Sequence, residues 1–499
     1  MDVGGTHTDG AALLGREVLA WTKQATTPDA SAGIAAALEA MLREVPADRV
    51  DSLTIGTTRF TNAILERRPL ARTACLRLCL PAGEAIPPFE DWAEDLARAL
   101  GGHYRLLSGG LEFDGRPISV PDRGEVDRAA DELRALGVEA VAVAGIFAPV
   151  DPSQEVQVAA WLAGRFPYLT CSHDLGRLGL LERENAALLN ACLMPEAERT
   201  LGSLHELAAA AGLRCPLFLS QNDGTVLPLE LARRFPVLTI ASGPTNSLRG
   251  AALLAGVEEA VVIDVGGTST DLGLLRRGFP REASVSIRVG GVRTNFRMPD
   301  TVSLALGGGS RVRGSHFGPD SVARDLEREA LVFGGAQPTL TDAAVAAGRV
   351  RLGDPSRARV DPAVLGEVRA RLEQAVDSVK LGPEPVDVIA VGGASFLVPD
   401  DLAGAARVLR PAHFAVANAV GAALSRLSGE ADLTVDLERE GRDRARERAL
   451  AVARGRAVAA GARPNSLEVL ELEEVPVAYL PGNALRVRAR VVGDHALPE

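Results

Sequence analysis

The stretch MDVGGTHTDG at residues 1–10 occurs a second time in the chain, as IDVGGTSTDLG at residues 263–273. The eight-residue segments that begin at Asp2 and Asp264 are identical at seven of eight positions. In both places the motif is followed by a strand, a turn and another strand, so the repeat is longer than the motif itself. A repeat of this size predicts two structurally related halves in one chain.

The Gly-Gly turn in each copy is suited to binding phosphate. Because glycine has no Cβ atom, backbone N–H groups can converge into a concavity that accepts phosphate oxygens. An aspartate just before the turn can hold Mg²⁺, directly or through water, and threonine hydroxyls can donate to phosphate. A single loop of this kind is equally well explained as a hairpin turn. Two copies with the same aspartates favour two loops that grip the β- and γ-phosphates of a nucleotide from opposite sides.

Other phosphate-binding signatures do not fit the sequence. The dinucleotide fingerprint needs a G-x-G-x-x-G turn that opens a helix, whereas each loop here opens a strand, and the chain has no G-x-x-x-x-G-K-S/T loop. A third glycine element, VGGAS at residues 391–395, follows an apolar strand late in the second half. Close backbone approach at this turn can accommodate a nucleoside.

The composition is that of a globular protein with two to four domains, given 499 residues, 46% hydrophobic and 24% charged. A net charge of −11 disfavours a nucleic-acid partner. The sequence has no apolar run of about 18 residues and no signal-peptide pattern at its start, so we expect no membrane span and a cytoplasmic location. Five scattered cysteines fit reduced thiols in that compartment.

Helical and strand patterns alternate between the two loops, which predicts a mostly parallel or mixed sheet with helices on its faces. PLFLSQ at residues 216–221 and PVLTIAS at residues 236–242 both have the pattern of buried strands. The end of the chain combines a charged amphipathic helix with two strands around a Pro-Gly-Asn turn. We expect domains at residues 1–245, 246–428 and 429–499, the last being a small appended unit.

The two acidic Gly-Gly-Thr hairpins and the late Val-Gly-Gly-Ala turn resemble the phosphate-1, phosphate-2 and adenosine elements of the actin-like ATPase superfamily. Further motifs narrow the resemblance to the hydantoinase A/5-oxoprolinase family: in chain order, GTTRFTNAILERR, SHDLGRLGLLERENAALLNACL, FLSQNDGT, ASGPTNSLRGA, DVGGTSTDL, ALGGGS and PTLTDAAVAAGR. The resemblance covers about residues 1–425. It implies an α/β fold with two actin-like ATPase (ribonuclease H-like) halves around a nucleotide cleft, plus a small C-terminal α+β unit.

The family resemblance implies an ATP-dependent hydrolase subunit that activates a cyclic amide, or a related carbonyl, by phosphorylating its oxygen. It also implies a hydantoinase B-type partner subunit and an oligomeric assembly. An unstrained lactam is a poor electrophile, and phosphorylation of its oxygen creates a good leaving group. Two alternatives stay open from the sequence: a small-molecule kinase of the same superfamily, and a nucleotide-binding regulatory or assembly protein.

By the same resemblance, ATP-binding residues are Gly4, Gly5, Thr6, Gly266, Gly267, Thr268, Gly392, Gly393 and Ala394. Asp2 and Asp264 are the candidates for catalysis and for binding Mg²⁺. Asp271 is a further Mg²⁺ candidate, although it and Asp9 could equally cap their hairpins. The glycines at residues 307–309 could approach the nucleotide or form a purely structural turn.

Substrate contacts are predicted at two strand ends, where open α/β sheets bind ligands. Thr57, Thr58 and Asn62 match the family's GTT-x-x-TNA stretch, with helix capping as the alternative for one threonine. Asn222 is the other predicted substrate contact, and Asp223 is the candidate general base, against a plain Asp-Gly turn.

Two further polar residues have both a functional and a structural interpretation. His173 could line the cleft, although a lone histidine is more often structural. Asp342 could cap a helix or lie beside the metal.

The chain also departs from the family pattern. After the GGGS cluster, SVARDLEREALVFGG replaces the usual segment rich in Asp, Pro and Gly, which leaves the substrate open. The first motif copy has only Met1 before its aspartate, whereas the strand AVVI precedes the second copy. Either the natural chain begins a few residues earlier, which we favour, or the first sheet has a truncated leading strand.

Overall fold

The computed structural model describes residues 1–4, 6–25, 30–175, 178–283, 287–424, 426–477 and 483–495. The first half is built around a meander joined to parallel strands. Its elements are β1 (Asp2–Val3), β2 (His7–Leu14), β3 (Glu17–Ala25), α1 (Ala30–Glu44), β4 (Leu53–Thr57) and α2 (Arg59–Glu66). Strand β1 pairs antiparallel with β2 and parallel with β4, because the chain turns back at the first Gly-Gly loop and returns to the sheet through α1.

A four-stranded parallel unit of described residues is inserted after α2. It comprises β5 (Thr73–Leu80), α3 (Glu94–Leu100), β6 (His103–Ser108), α4 (Arg123–Ala135), β7 (Ala140–Gly145), α5 (Ser153–Leu162) and β8 (Tyr168–Cys171). The long helix α6 (Leu180–Ala210) leads back to the first sheet, followed by β9 (Leu217–Ser220), β10 (Val226–Pro228), α7 (Leu229–Arg234) and α8 (Ser242–Ala255). Strand β9 pairs parallel with β4, giving the order β3-β2-β1-β4-β9.

The second half repeats this arrangement. Its elements are β11 (Ala260–Val265), β12 (Thr270–Arg276), β13 (Phe279–Pro280), β14 (Ile287–Val289), β15 (Val292–Thr294), β16 (Thr301–Leu304), β17 (Ser310–Arg313), β18 (His316–Ser321), α9 (Leu326–Glu329), α10 (Leu340–Ala346), α11 (Val364–Val379), β19 (Val386–Val391), β20 (Ala405–Leu409) and α12 (Ala417–Ala423). The order β13-β12-β11-β19-β20 matches that of the first half, with the same sense at each pairing around the central strand. The sequence repeat thus reflects a structural one.

The predicted C-terminal unit shares a sheet with the first half. Strand β21 (Leu427–Asp436) pairs with β10, and it is followed by α13 (Leu437–Glu440), α14 (Arg442–Ala459), β22 (Glu468–Pro476) and β23 (Ala484–Gly493). Helix α14 packs on this extension through alanines spaced four residues apart, which lie on one helix face. Helix α14 lies very close to strand β21, because a Cβ atom added at Gly429 would lie 2.1 Å from the Ala453 carbonyl oxygen.

Helices α8 and α12 connect the halves and cross at glycine. A Cβ atom at Gly250 would lie 1.8 Å from the carbonyl oxygen of Ala417, and one at Gly421 would lie 1.8 Å from that of Asn246. The two backbones therefore touch, which brings the first turns of both helices beside strand β1. Among the described residues, no helix combines the length and apolarity needed to cross a membrane.

Candidate functional site

A cavity of about 330 Å³ lies between the two halves. Predicted site residues that line it are Gly4, Thr6, Asp264, Gly266, Gly267, Gly392, Gly393 and Ala394. Gly5 lies outside the described residues. Thr268 is exposed at the tip of its loop. The three glycine elements predicted from sequence therefore converge on one cleft, although they are far apart along the chain.

The two hairpin loops have the same local geometry and face each other. The amide of Gly4 donates to the His7 carbonyl at 2.9 Å, and that of Gly266 donates to the Ser269 carbonyl at 2.9 Å. A Cβ atom at Gly267 would lie 3.4 Å from Cγ2 of Thr6. The loops thus approach tip to tip, with backbone amides on both sides of the gap.

The glycine cluster at residues 307–309 supports the second loop. The amides of Gly308 and Gly309 donate to the carbonyls of Gly266 and Gly267, at 3.0 and 2.7 Å. A Cβ atom at Gly307 would lie 2.6 Å from the carbonyl carbon of Gly267. The cluster is therefore a structural turn that holds the second loop in place. Gly308 also lines the cavity, so an approach to the nucleotide stays a prediction.

Four aspartates form two cross-strand pairs beside the loops, and one member of each pair, Asp9 and Asp264, lines the cavity. Asp2 lies opposite Asp9, and Asp264 lies opposite Asp271. Burial, helped by the neighbouring Asp271 and Asp9, raises the pKa of Asp264 to about 6, although a hydrogen bond from Ser247 and the charge of Lys23 act to lower it. Burial likewise raises the pKa of Asp2 and of Asp271. Crowded, poorly solvated carboxylates of this kind favour a bound cation.

Both oxygens of Asp2 are held by amides from the connecting helices. Nδ2 of Asn418 on α12 donates to Oδ2 at 2.9 Å, and Nδ2 of Asn246 on α8 donates to Oδ1 at 3.4 Å. Beside Asp264, Gly392 has a φ of 86° and packs so closely that a Cβ atom would lie 2.2 Å from Oδ1. The adenosine element and the second loop are therefore in direct contact.

Lys23 is a cleft residue that motif analysis did not reveal. Its Nζ lies 2.8 and 3.0 Å from the two carboxylate oxygens of Asp9 and 3.1 Å from the Ala415 carbonyl. It lines the cavity, and its Cε would contact a Cβ atom at Gly393. The signal that could have revealed it is the β2–β3 pairing, which places Lys23 directly across from Asp9.

The predicted substrate residues on β4 lie next to the first loop. Thr57 pairs with Val3, and its hydroxyl accepts a hydrogen bond from the Arg59 amide at 3.2 Å, whereas Thr58, the N-cap residue of α2, makes no side-chain capping hydrogen bond. The Thr58 hydroxyl donates to the Val3 carbonyl at 3.4 Å. Asn62, one turn into α2, is exposed. The two threonines therefore adjoin the phosphate loop, and Asn62 points away from the protein interior.

Asn222 and Asp223 follow β9, as expected, but Asp223 is poorly suited to act as a general base. Burial acts to raise the pKa of Asp223, but Arg490 and the hydrogen bonds from Thr225 outweigh it and lower the pKa. The Arg490 guanidinium donates to the carboxylate, whose side chain is 6% exposed. A carboxylate held by arginine, with its pKa lowered, gains protons poorly near neutral pH. The geometry therefore argues against the general-base assignment.

Two models of one family match this chain. The model described as hydantoinase/oxoprolinase N-terminal region matches residues 1–164, and the one described as hydantoinase/oxoprolinase matches residues 183–354. The chain belongs to the hydantoinase/oxoprolinase family. Each match contains one of the two facing loops, whereas the third element at Gly392 lies beyond the matched residues.

Relatives of known name support the family assignment. The caprolactamase subunit alpha of Pseudomonas jessenii is 27% identical over 354 residues, which are 66% of this chain and 48% of that protein. The acetophenone carboxylase gamma subunit of Aromatoleum aromaticum is 25% identical over 394 residues, 70% of this chain and 53% of that protein. The chain thus spans about half the length of these two relatives.

Solved structures of the same fold confirm the predicted α/β class. The crystal structure of ATP-dependent caprolactamase from Pseudomonas jessenii has a TM-score of 0.76 and 21% identity, covering 99% of this chain and 87% of that one. A nucleotide-free acetone carboxylase structure has a TM-score of 0.71 and 15% identity, and the match covers 100% of this chain and 88% of that one. These similarities show that this chain shares the fold of those two enzymes.

The remaining predicted residues, His173 and Asp342, have structural roles. His173 Nδ1 lies 2.6 Å from Glu155, whose carboxylate also accepts from Ser172 and from the backbone amides of Gly145 and His173. Glu155, Cys171 and His173 lie close enough together to hold a metal ion. Burial raises the pKa of the Cys171 thiol to about 12, so the thiol stays protonated near neutral pH, which disfavours a metal thiolate.

Asp342 completes a capping box with Thr339 at the start of α10. Its carboxylate also accepts from the Val332 amide at 2.8 Å. The side chain is fully buried and both oxygens have donors, so the helix-cap interpretation is the one the structure favours.

Proposed function

We propose that this protein uses ATP to phosphorylate the carbonyl oxygen of a cyclic amide or a related carbonyl compound. The observation that carries the proposal is the pair of facing Gly-Gly loops, from opposite halves, with Asp9, Asp264 and Lys23 lining the cavity between them. Backbone amides on both sides suit a polyphosphate chain, and the carboxylates suit a divalent cation bound with it.

The protein's own groups would position the phosphates and stabilise charge as the phosphoryl group moves. The substrate carbonyl oxygen forms a bond to the γ-phosphorus as the bond to the β,γ-bridging oxygen breaks and ADP leaves. Because the Gly4 and Gly266 amides close their own hairpins, the other backbone amides of the two loops would donate to phosphate oxygens, and Lys23 could turn from Asp9 toward the γ-phosphate. Such preorganised donors act strongly in a poorly solvated cleft.

Asp264 and Asp2 are the side chains that fit Mg²⁺ best. Asp264 lines the cavity, and burial raises the pKa of its carboxyl group, so a bound cation would stabilise the ionised form. Asp2 is oriented by two amides, as a carboxylate near a metal often is. Bound Mg²⁺ would offset the negative charge of the β- and γ-phosphates.

The substrate class is inferred from the relatives. Caprolactamase is named for a lactam, and acetophenone and acetone carboxylases are named for ketones. These compounds share a carbonyl oxygen, and phosphorylation of that oxygen makes the carbon more reactive in each case. Both relatives are subunits by name, which supports a B-type partner subunit for this chain.

We also propose a cytoplasmic location. All five cysteines lie among the described residues and are free thiols. Burial raises the pKa of Cys75, Cys192 and Cys171, so these thiols are protonated and unreactive at neutral pH. Free thiols are typical of a reducing compartment.

The proposal is tested by phosphate release from ATP with hydantoin, 5-oxoproline, ε-caprolactam and small ketones. Each compound is assayed with and without the protein encoded by the neighbouring gene. We expect release that depends on one of these compounds and is lost in Asp264→Ala but kept in Asp443→Ala, whose aspartate is exposed on α14. A stable phosphorylated product without a partner would indicate a kinase instead. ATP binding without turnover on any compound would contradict the enzymatic proposal.

A further inference from the structure

A second cavity, of about 430 Å³, lies away from the nucleotide cleft. Its walls come from the end of β7, the start of α6 and the strands β22 and β23 of the C-terminal unit. Among the described residues, none lines both this cavity and the one between the two halves. A concave site of this size is large enough to enclose a small organic molecule.

The order of the strands places this cavity where parallel sheets bind ligands. Strands β5 and β7 are neighbours in the order β6-β5-β7-β8, and all three pairings are parallel. The chain leaves β5 toward β6 on one side of this pair and leaves β7 toward β8 on the other side. Open parallel sheets bind ligands beyond the carboxyl ends of their strands, at such a reversal of direction. Ile146 and Phe147 directly follow β7, and both line the cavity.

The backbone at Phe147 has an uncommon conformation. Its φ of 50° lies in the left-handed region, which a residue with a bulky side chain rarely adopts. The turn is held in place because the Val150 amide donates to the Phe147 carbonyl at 2.9 Å. Such conformations cost free energy and are frequent at ligand sites, so this position beside a cavity supports a binding role.

The lining of the cavity, as far as the structure describes it, is apolar and positively charged and contains no carboxylate. Its charged members are the guanidinium groups of Arg183 and Arg486. Apolar side chains form most of the remaining wall: Ile146, Phe147, Leu178, Leu180, Val475 and Val477. A lining of this composition favours a ligand that has an apolar body and a negative charge.

Both arginines are held in position by other contacts. Arg183 Nε donates to Ser172 Oγ at 2.8 Å, and its Nη2 donates to the Gly145 carbonyl at the end of β7. Arg486 Nε and Nη2 donate to the two carboxylate oxygens of Asp432, at 2.8 and 2.6 Å. This pair does not use Arg486 Nη1, and Asp432 does not line the cavity. A guanidinium that is already ordered loses little side-chain entropy when it binds a carboxylate.

We propose that this cavity binds a small apolar carboxylate. Arg486 Nη1 donates to the carboxylate, and the apolar walls around Phe147 and Leu180 enclose the body of the molecule. Because three parts of the chain form the walls, the bound molecule bridges the inserted parallel unit and the C-terminal unit. The site is separate from the nucleotide cleft, so its test does not depend on the proposed function.

The test titrates three compounds into the full chain by calorimetry. Phenylacetate has an apolar body and a charge, phenylacetamide has the same shape without the charge, and acetate has the charge alone. We expect phenylacetate to bind at least about tenfold more tightly than phenylacetamide, because a hydrogen bond to a charged group typically contributes that factor. Acetate should bind at least about tenfold more weakly than phenylacetate, because it lacks the apolar surface that the cavity buries. A saturating ATP analogue with Mg²⁺ should leave the affinity for phenylacetate unchanged.

Arg486→Met should weaken phenylacetate binding about tenfold and leave phenylacetamide binding unchanged. The matched control is Arg488→Met, since Arg488 lies on the same strand and also pairs with Asp432 but does not line the cavity. If thermal unfolding shows that Arg486→Met is not folded, Val477→Trp replaces it, because the larger ring fills the cavity and leaves the ion pair intact. Val477→Trp should abolish binding of both aromatic compounds.

Four results would each overturn the proposal. These are equal affinity for phenylacetate and phenylacetamide, no binding of either compound, competition between phenylacetate and the ATP analogue, and unchanged phenylacetate affinity in the cavity variants.

Discussion

Replacing Asp264 with asparagine should make the stability of the metal-free protein less dependent on pH. The side chain lies at the base of the cleft, packed against Gly392. Burial, together with Asp271 and Asp9, raises its pKa from 3.8 to about 6. Asparagine has nearly the same shape but no charge, so Asp264→Asn removes this effect with little change in packing.

The sign follows from the two pKa values. Between pH 3.8 and about 6 the folded protein keeps the proton on Asp264 while the unfolded chain has lost it. Stability from this group is therefore present at low pH and is lost as pH rises through about 6. A shift of about two units corresponds to at most about 3 kcal/mol, and water entering the cleft reduces it. The free energy of unfolding of Asp264→Asn, relative to that of the wild type, should thus rise by about 2 kcal/mol between pH 4 and pH 8.

The measurement is urea unfolding, followed by circular dichroism at several pH values between 4 and 8 without Mg²⁺ or nucleotide. Asp443→Asn, at an exposed position on α14, should show the wild-type profile. Adding Mg²⁺ and an ATP analogue should stabilise the wild type more than Asp264→Asn. A stability difference that does not change with pH would refute the reasoning about burial. Equal stabilisation of both proteins by Mg²⁺ and the analogue would refute the metal-binding role.

Three other substitutions test separate parts of the site. Arg490→Ala should lower the free energy of unfolding by about 3–5 kcal/mol in urea titrations, because it leaves a buried carboxylate unpaired; a loss below about 1 kcal/mol would contradict this. Lys23→Met should weaken binding of an ATP analogue about tenfold in calorimetry. The control, Lys380→Met at the end of α11, should bind the analogue as the wild type does. Equal affinities of the two variants would show that Lys23 does not contact the nucleotide. Gly392→Ala should abolish analogue binding, because the φ of Gly392 is 86° and the added Cβ atom would collide with Asp264. A Cβ atom at Gly382 meets no atom within 4 Å, so Gly382→Ala should bind the analogue as the wild type does. Retained binding in both variants would contradict the close contact between Gly392 and Asp264.

Much of the fold could be predicted from the repeated motif. The repeat and its flanking strands indicated two related halves, and the strand orders β3-β2-β1-β4-β9 and β13-β12-β11-β19-β20 confirm the doubled α/β architecture. This worked because the glycine turn, the aspartate before it and the strands after it are local features. Each follows from a few neighbouring residues, whatever the rest of the chain does.

Segments whose form depends on distant partners were harder to predict. PVLTIAS has the apolar, β-branched pattern of a buried strand, yet residues 236–239 form a short 3₁₀ helix and the rest leads into α8. The cause lies in α6, where Asn190 accepts from the Val237 amide and donates to the Arg234 carbonyl. Strands β21 to β23 likewise join the first sheet through β10, a pairing that no local pattern specifies.

The sequence by itself determined the two phosphate-type loops, their aspartates and the third glycine turn, because each is encoded in consecutive residues. Only the tertiary structure decided which side chains meet them. A bulge between Ala12 and Leu13 shifts the β2–β3 register, so Lys23 lies across from Asp9. Counted from the turn without that bulge, Asp9 would face Thr22 instead. The Thr245 hydroxyl likewise reaches the Asn222 carbonyl only because α8 packs against the end of β9. Register and packing depend on contacts between distant residues, which is why the cleft's chemistry was less predictable than its loops.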